Sequence, residues 1–310
     1  MKTAFLFPGQ GAQVVGMGAD LAGIFPAAAD IFEKANQILG YDLRKLCFEG
    51  PAEQLNTTTI SQPAIFVTSV AMLQTFTQTV GTKDSSADVT AGLSLGEYTA
   101  LFAAGVMSFE DALVLVQKRG QAMQAAADAT PGAMVSIIGL DEEAVRRLCE
   151  DAADGDLLQP VNFNCPGQIV VSGTKAACRR AKQLAAKYGA IKAVRLEVAG
   201  AFHTEMMTGA AEALAEALTD CQVRDPASIR VIANVSAEYY QSADSIREGL
   251  VRQLMYPILW QKCMERLLDE GVESFYEIGP GRVLTGLMRR ISRKTKVINI
   301  NSRQAVDDLT

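Results

Sequence analysis

Apolar positions along the chain switch between the period of a strand and that of a helix, and the switches divide it into elements. Thr3 to Phe7 is an almost unbroken apolar run stopped by Pro8, as expected of a strand buried on both faces. Pro26 to Leu39 has a helical period instead, with Ile31, Phe32, Ala35, Ile38 and Leu39 on one face and Gly40 closing it. Pro51 begins a short helical turn. Pro63 opens a helix whose Ile65, Val67, Val70, Leu73 and Phe76 leave little polar face, so it belongs inside. Residues 81–88 are small and polar, a surface loop, and 89–93 are again β-prone. Glu97 to Ala104 favours helix. Ser108 then caps a helix with Glu110 and Asp111 in its first turn, carrying Leu113, Val116, Arg119, Gly120 and Met123.

From Gly132 the pattern changes. Strands are expected over 133–139, 158–164, 169–172 and 191–198, with helices over 141–153 and 174–188. That order, β-α-β-β-α-β, is the split βαβ or ferredoxin-like unit. The chain therefore divides into a large α/β domain (1–129 and 200–310) and a small ferredoxin-like subdomain (130–199) inserted into it. A cleft between the two is the first place to look for a ligand. After the insertion come a helix over 205–218, a strand over 229–235 and helices over 245–255 and 259–269. A strand over 275–278, the turn Gly279-Pro280-Gly281, a helix over 283–291 and a strand over 296–300 complete the chain.

One stretch carries chemistry. Val89 to Glu97 passes from strand through Gly92-Leu93-Ser94-Leu95-Gly96 into helix, the context of a nucleophile elbow. The turn strains the backbone at Ser94, and glycines on either side leave room for it. Free N–H groups at the helix start lie where an oxyanion would form. An elbow serine needs a base, and His203 is the single histidine of the chain. It follows the last strand of the small unit and precedes a helix, which puts it on the domain seam. Arg119 projects near the apolar stripe of its helix and needs an anionic partner. An internal Asp or Glu could be that partner, or Arg119 could clamp a substrate carboxylate. After the first strand, Phe7-Pro8-Gly9-Gln10-Gly11-Ala12-Gln13 is a glycine-rich turn that lacks the third glycine of a dinucleotide fingerprint. Gln10 or Gln13 could offer an amide to a polar site there.

Composition narrows the classes. Of 310 residues 49% are apolar and 21% charged, enough for a large core, and the net charge of −6 argues against a general nucleic-acid binder. The N-terminal residues read as a first strand, not a signal peptide, and no apolar run is long enough to insert into a membrane. The six cysteines are scattered with no Cys-x-x-Cys pair, as in a cytoplasmic protein with reduced thiols and no metal site. The basic run Arg289, Arg290, Arg293, Lys294 and Lys296 reads as helix C-terminal charge facing water, with docking of an acidic partner as the functional alternative.

Taken in order, Phe7 to Gln13, Gly92 to Tyr98, Gln117-Lys118-Arg119-Gly120, Pro160-Val161-Asn162-Phe163-Asn164, Gly200-Ala201-Phe202-His203 and Glu277-Ile278-Gly279-Pro280-Gly281 resemble the malonyl-CoA:acyl carrier protein transacylases over essentially the whole chain. The resemblance implies an α/β-hydrolase-like core with a ferredoxin-like insertion. It implies Ser94 as the acyl acceptor and His203 as the base, the imidazole being oriented by the backbone carbonyl of Gln253. Gln10 and the Leu95 N–H would form the oxyanion hole, and Arg119 would clamp the malonyl carboxylate. Asn162, Phe202 and Met123 would belong to the substrate site, Phe202 disfavouring an α-methyl branch. Coenzyme A thioester and acyl carrier protein would be the partners, with no cofactor. The family usually has histidine just before the nucleophile; here Leu93 stands there. A serine hydrolase of small thioesters or esters would use the same Ser94 and His203.

Overall fold

Strand β1 (Lys2–Phe7) alternates strictly: Phe5 and Phe7 pack into one apolar cluster, Ala4 and Leu6 into another. It is the middle strand of a sheet covered on both faces, which is why its sequence is a continuous apolar run. A computed structural model describes residues 2–81 and 86–309; residues 82–85, part of the loop expected over 81–88, lie outside them. Eight further strands are described: β2 (Val89–Gly92), β3 (Gly132–Ile138), β4 (Leu158–Cys165), β5 (Gln168–Thr174), β6 (Lys192–Arg195), β7 (Arg230–Val231), β8 (Val272–Ile278) and β9 (Val297–Ile300). The large sheet is parallel in the order β7-β2-β1-β8-β9. One face is covered by the helices Pro26–Leu39, Thr58–Val80 and Phe109–Ala129. The other is covered by Trp260–Asp269 and Val283–Ile291.

The small sheet is antiparallel in the order β4-β5-β3-β6, the ferredoxin-like arrangement. Period two decides its faces. Ala133, Val135, Ile137, Phe163, Ile169 and Val171 pack under the helices Glu142–Ala153 and Lys175–Leu184. The alternate residues, Met134, Ser136, Asn162, Asn164, Gln168 and Val170, face the other way and line a cleft against the large sheet. Phe163 N–H donates to the Ile258 carbonyl at 2.9 Å and Ile258 N–H to that of Val161 at 2.7 Å, tying the small sheet to the large domain. Among the described residues no helix is long and apolar enough to cross a membrane.

Four local expectations are corrected. The helix expected to open at Pro63 runs from Thr58, with Pro63 in its second turn. Packing against the helices on either side outweighs the backbone bond that proline removes. The strand expected over 229–235 is only Arg230–Val231, because the chain leaves the sheet to bring Asn234 to the elbow. The strand expected over 191–198 ends at Arg195, and Leu196 and Val198 turn into the cleft. The helix after His203 begins as a 3-10 turn, Glu205–Met207, and becomes α-helical over Thr208–Thr219.

Candidate active site

All five strands of the large sheet run the same way, so their C-terminal ends share one edge, where parallel sheets place ligands. Phe7 pairs with Gly92 at that edge, so Gln10 and Ser94 emerge side by side. Ser94 has φ 50°, the strained left-handed conformation of an elbow nucleophile. The flanking glycines are required by close approach. A Cβ on Gly92 would lie 1.9 Å from the Gly96 carbonyl, and one on Gly96 would lie 2.1 Å from that of Phe7. The turn is pinned by Asn234, whose Oδ1 accepts from Ser94 N–H at 2.7 Å while its Nδ2 donates to the Gly92 carbonyl at 2.7 Å.

His203, also left-handed at φ 63°, brings Nε2 to 3.1 Å from Ser94 Oγ. Its Nδ1 lies 2.6 Å from the Gln253 carbonyl oxygen, which can only accept. Nδ1 therefore carries the proton in the neutral ring, and the Nε2 lone pair faces the serine. Burial lowers His203 to about 4, opposed by the bond to the Gln253 backbone and assisted by the Arg119 charge. The imidazole is thus neutral at neutral pH and able to take a proton.

Arg119 lies beneath the serine at 1% exposure. Nη2 donates to Ser94 Oγ at 3.0 Å and to Gln253 Oε1 at 2.9 Å, and Nη1 donates to Gln62 Oε1 at 2.6 Å. Its Nε has no partner among the described residues, and its Cζ stands 5.4 Å from the centre of the Tyr98 ring. No carboxylate lies within 4 Å of it there, so no direct ion pair accounts for the buried arginine. Burial pulls the guanidinium below its ordinary value, against the opposing influence of Tyr98 and Glu97.

Glu97, fully buried, receives Tyr240 OH at 2.6 Å, Asn234 N–H at 3.3 Å and the Gln253 side-chain amide. Burial pushes it up to about 7, while those three donors and the Arg119 charge pull it back. Gln253 Nε2 also donates to the Ser94 carbonyl at 2.9 Å. Gln253 thus uses its backbone for the imidazole and its side chain for the arginine, the serine and the glutamate.

Ser94 and His203 open onto a cleft of about 240 Å³ between the sheets, also lined by Gln10, Leu93, Asn162, Val283 and Leu287. Gln13 is engaged with Gly11 N–H and Asn56, which leaves Gln10 as the amide of the glycine turn with no partner among the described residues. The backbone N–H groups of Gln10 and Leu95 have no acceptor among the described residues. On the small-sheet wall Ser136 Oγ and Asn164 Oδ1 are buried without partners among the described residues. Met123 and Phe202 are packed in the large core instead of on the cleft wall, and the Met123 sulfur receives Gln62 Nε2 at 3.4 Å. Arg290, expected to face water, donates to Gln168 and to the Pro166 and Gly167 carbonyls, tying its helix to the β4–β5 turn. Sequence reasoning missed Gln62, Asn234 and Tyr240 and gave Glu97 no role. The acidic residue directly after the elbow glycine was the one available signal.

A serine on an elbow, a neutral histidine against it and a cleft roofed by a ferredoxin-like unit define a class of α/β acyl-group enzymes. Residues 4–306 match the family model described as acyl transferase domain. The malonyl CoA-acyl carrier protein transacylase of Bacillus subtilis is 45% identical over 307 residues, 99% of this chain and 95% of that protein. An acyl carrier protein S-malonyltransferase from Vibrio cholerae superposes with TM-score 0.94 at 42% identity, covering 100% of both chains. A malonyl-transacylase solved in complex with a type II PKS acyl-carrier protein gives TM-score 0.94 at 42% identity over 99% of this chain and 98% of that one. The chain belongs to the acyl transferase family, among the malonyl CoA-acyl carrier protein transacylases.

Proposed function

We propose that the protein moves a malonyl group from coenzyme A to the phosphopantetheine thiol of an acyl carrier protein through an ester on Ser94. The observation that carries this reading is Arg119: a buried guanidinium, 3.0 Å from Ser94 Oγ and held only by neutral oxygens. A cation so placed favours an acyl group that brings its own carboxylate. Relatives whose names specify malonyl transfer to carrier protein support the same substrate pair.

The chemistry follows from the bonds at rest. Ser94 Oγ attacks the thioester carbonyl and its proton passes to His203 Nε2, the neutral lone pair already 3.1 Å away. Arg119 Nη2 donates to the same Oγ and favours the developing alkoxide. The Leu95 N–H and Gln10 receive the oxyanion. The C–S bond breaks, and coenzyme A leaves as the thiol with the proton from His203. In the second half the carrier thiol gives its proton to His203 and attacks the ester. Ser94 then recovers that proton as it leaves. The unpartnered Ser136 Oγ and Asn164 Oδ1 offer hydrogen bonds to the amide-bearing arm common to both thiols. Asn162 faces the same cleft. Met123 and Phe202 shape the acyl end from behind, through the packing around Gln62 and His203.

Intact mass after mixing with malonyl-CoA tests the reading. The expected result is one added malonyl group, absent in Ser94→Ala, that leaves when a pantetheine thiol is supplied. Release as free malonate without a thiol would make the protein a thioester hydrolase instead.

A further inference from the structure

Glu97, when ionised, and Arg119 are opposite charges buried in one site, yet among the described residues neither has an ion-pair partner. Between them stands the Gln253 side-chain amide. Its Oε1 accepts from Arg119 Nη2 at 2.9 Å, and its Nε2 donates to Glu97. The amide carries the attraction but keeps the carboxylate out of the guanidinium fork. A direct ion pair would occupy Arg119 and close it to an anionic acyl group. With no counter-charge the buried cation would carry its full desolvation cost alone. Glu97 is also in the first turn of the helix Gly96–Ala103, so the turn that presents Ser94 fixes the carboxylate as well.

We propose that Glu97 is the positioning residue of the Arg119 clamp: ionised, it holds the Gln253 amide with its oxygen toward the guanidinium and supplies the counter-charge at one amide's remove. Arg119 thereby stays charged, aimed and open to a carboxylate-bearing substrate. This rests on the Arg119 reading given under Proposed function. The carboxylate form fits the site because two groups bonded to it, Asn234 N–H and Gln253 Nε2, can only donate and meet different oxygens, and Tyr240 OH stands at 2.6 Å to donate as well. A neutral amide in its place cannot satisfy them. Put its NH₂ toward Gln253 and two donors collide; put it toward Asn234 and the backbone N–H is opposed instead. The titratable and charged groups facing Glu97 are Tyr240, Tyr98, the Cys263 thiol and Arg119, of which only Arg119 favours its ionised form by charge.

The test is the ratio of kcat/KM for malonyl-CoA to that for acetyl-CoA in Glu97→Gln, Arg119→Ala and the double variant. The expected result for Glu97→Gln is a fall in that ratio of roughly ten-fold or more, the scale of one hydrogen bond to a charged group, borne by malonyl-CoA. In the double variant Glu97→Gln adds nothing to the fall seen in Arg119→Ala. Equal losses on both substrates, or losses that multiply in the double variant, would overturn the assignment. If Arg119→Ala alone leaves the ratio unchanged, the clamp reading itself fails. If Arg119→Ala lowers the ratio and Glu97→Gln does not, only the role of Glu97 fails. Should Glu97→Gln not fold, Tyr240→Phe keeps the carboxylate and removes one donor. The pH at which malonyl preference is half-maximal should then move upward from that of the unaltered protein; an unmoved midpoint would overturn the proposal.

Discussion

Replacing Arg119 with alanine separates two things that the guanidinium does. It removes the partner proposed for the malonyl carboxylate, and it strips Gln62 Oε1, Gln253 Oε1 and Ser94 Oγ of a donor. A forked contact to a carboxylate supplies two charge-assisted hydrogen bonds at roughly 1.5–3 kcal/mol each. Losing both should lower kcat/KM for malonyl-CoA by roughly a hundred- to ten-thousand-fold. Acetyl-CoA has no carboxylate to lose, so its kcat/KM should fall only through the missing bond to Ser94 Oγ, by about ten-fold. Stability changes in both directions: two orphaned buried oxygens cost about 1–3 kcal/mol each, while a buried cation no longer has to be desolvated. A shift in Tm would weigh equally on both substrates, so the ratio isolates the clamp. The assay is transfer to a pantetheine thiol from each thioester at several concentrations, with Arg119→Lys as a charged control. Lysine keeps the charge but presents it as a point, and should recover only part of the ratio. Equal losses on malonyl-CoA and acetyl-CoA would exclude the clamp and leave Arg119 as a structural prop of the dyad.

Three further outcomes are expected. Because burial lowers His203 to about 4, its neutral, proton-accepting form is present at neutral pH and is lost only as pH falls through that value. Labelling of Ser94 by an uncharged sulfonyl fluoride should therefore stay level from pH 8 to about 5 and fall tenfold per unit below about 4; a midpoint near the ordinary histidine value would refute it. Gly92→Ala places a Cβ 1.9 Å from the Gly96 carbonyl, so it should destabilise by at least about 3 kcal/mol in urea unfolding and abolish labelling. Asn234→Ala frees Ser94 N–H and the Gly92 carbonyl, and should lower acylation about ten- to a hundred-fold while costing roughly 2 kcal/mol of stability.

What could be read from the sequence is what local pattern encodes. The elbow was legible because Gly92, Ser94 and Gly96 satisfy a backbone constraint at fixed spacing. The ferredoxin-like unit was legible because its strands alternate and its helices carry caps at Asp141 and Thr174. His203 stood out by being alone, and Arg119 by its place beside an apolar stripe. Gln62, Asn234 and Tyr240 carry no such mark. Gln62 precedes a proline in a helix apolar on every side, and its role exists only because Arg119 comes to 2.6 Å. Asn234 reaches Ser94 across 140 residues, from a strand that had to end early to release it. Those contacts are long-range and polar, and no period in the chain foretells them. Leu93, directly before Ser94, is half-buried on the cleft wall. The contact with Ser94 Oγ is made without a polar side chain at this position, through His203 Nε2 at 3.1 Å.

Transfer through Ser94 is read out in a single turnover from isolated acyl-enzyme. Protein mixed with malonyl-CoA and freed of small molecules is challenged with a phosphopantetheinylated acyl carrier protein, and both proteins are weighed. The malonyl mass should leave the Ser94 peptide and appear, mole for mole, on the carrier thiol. A Ser94 ester that ends as free malonate with the carrier unmodified, or a malonyl adduct that survives Ser94→Ala, would contradict it.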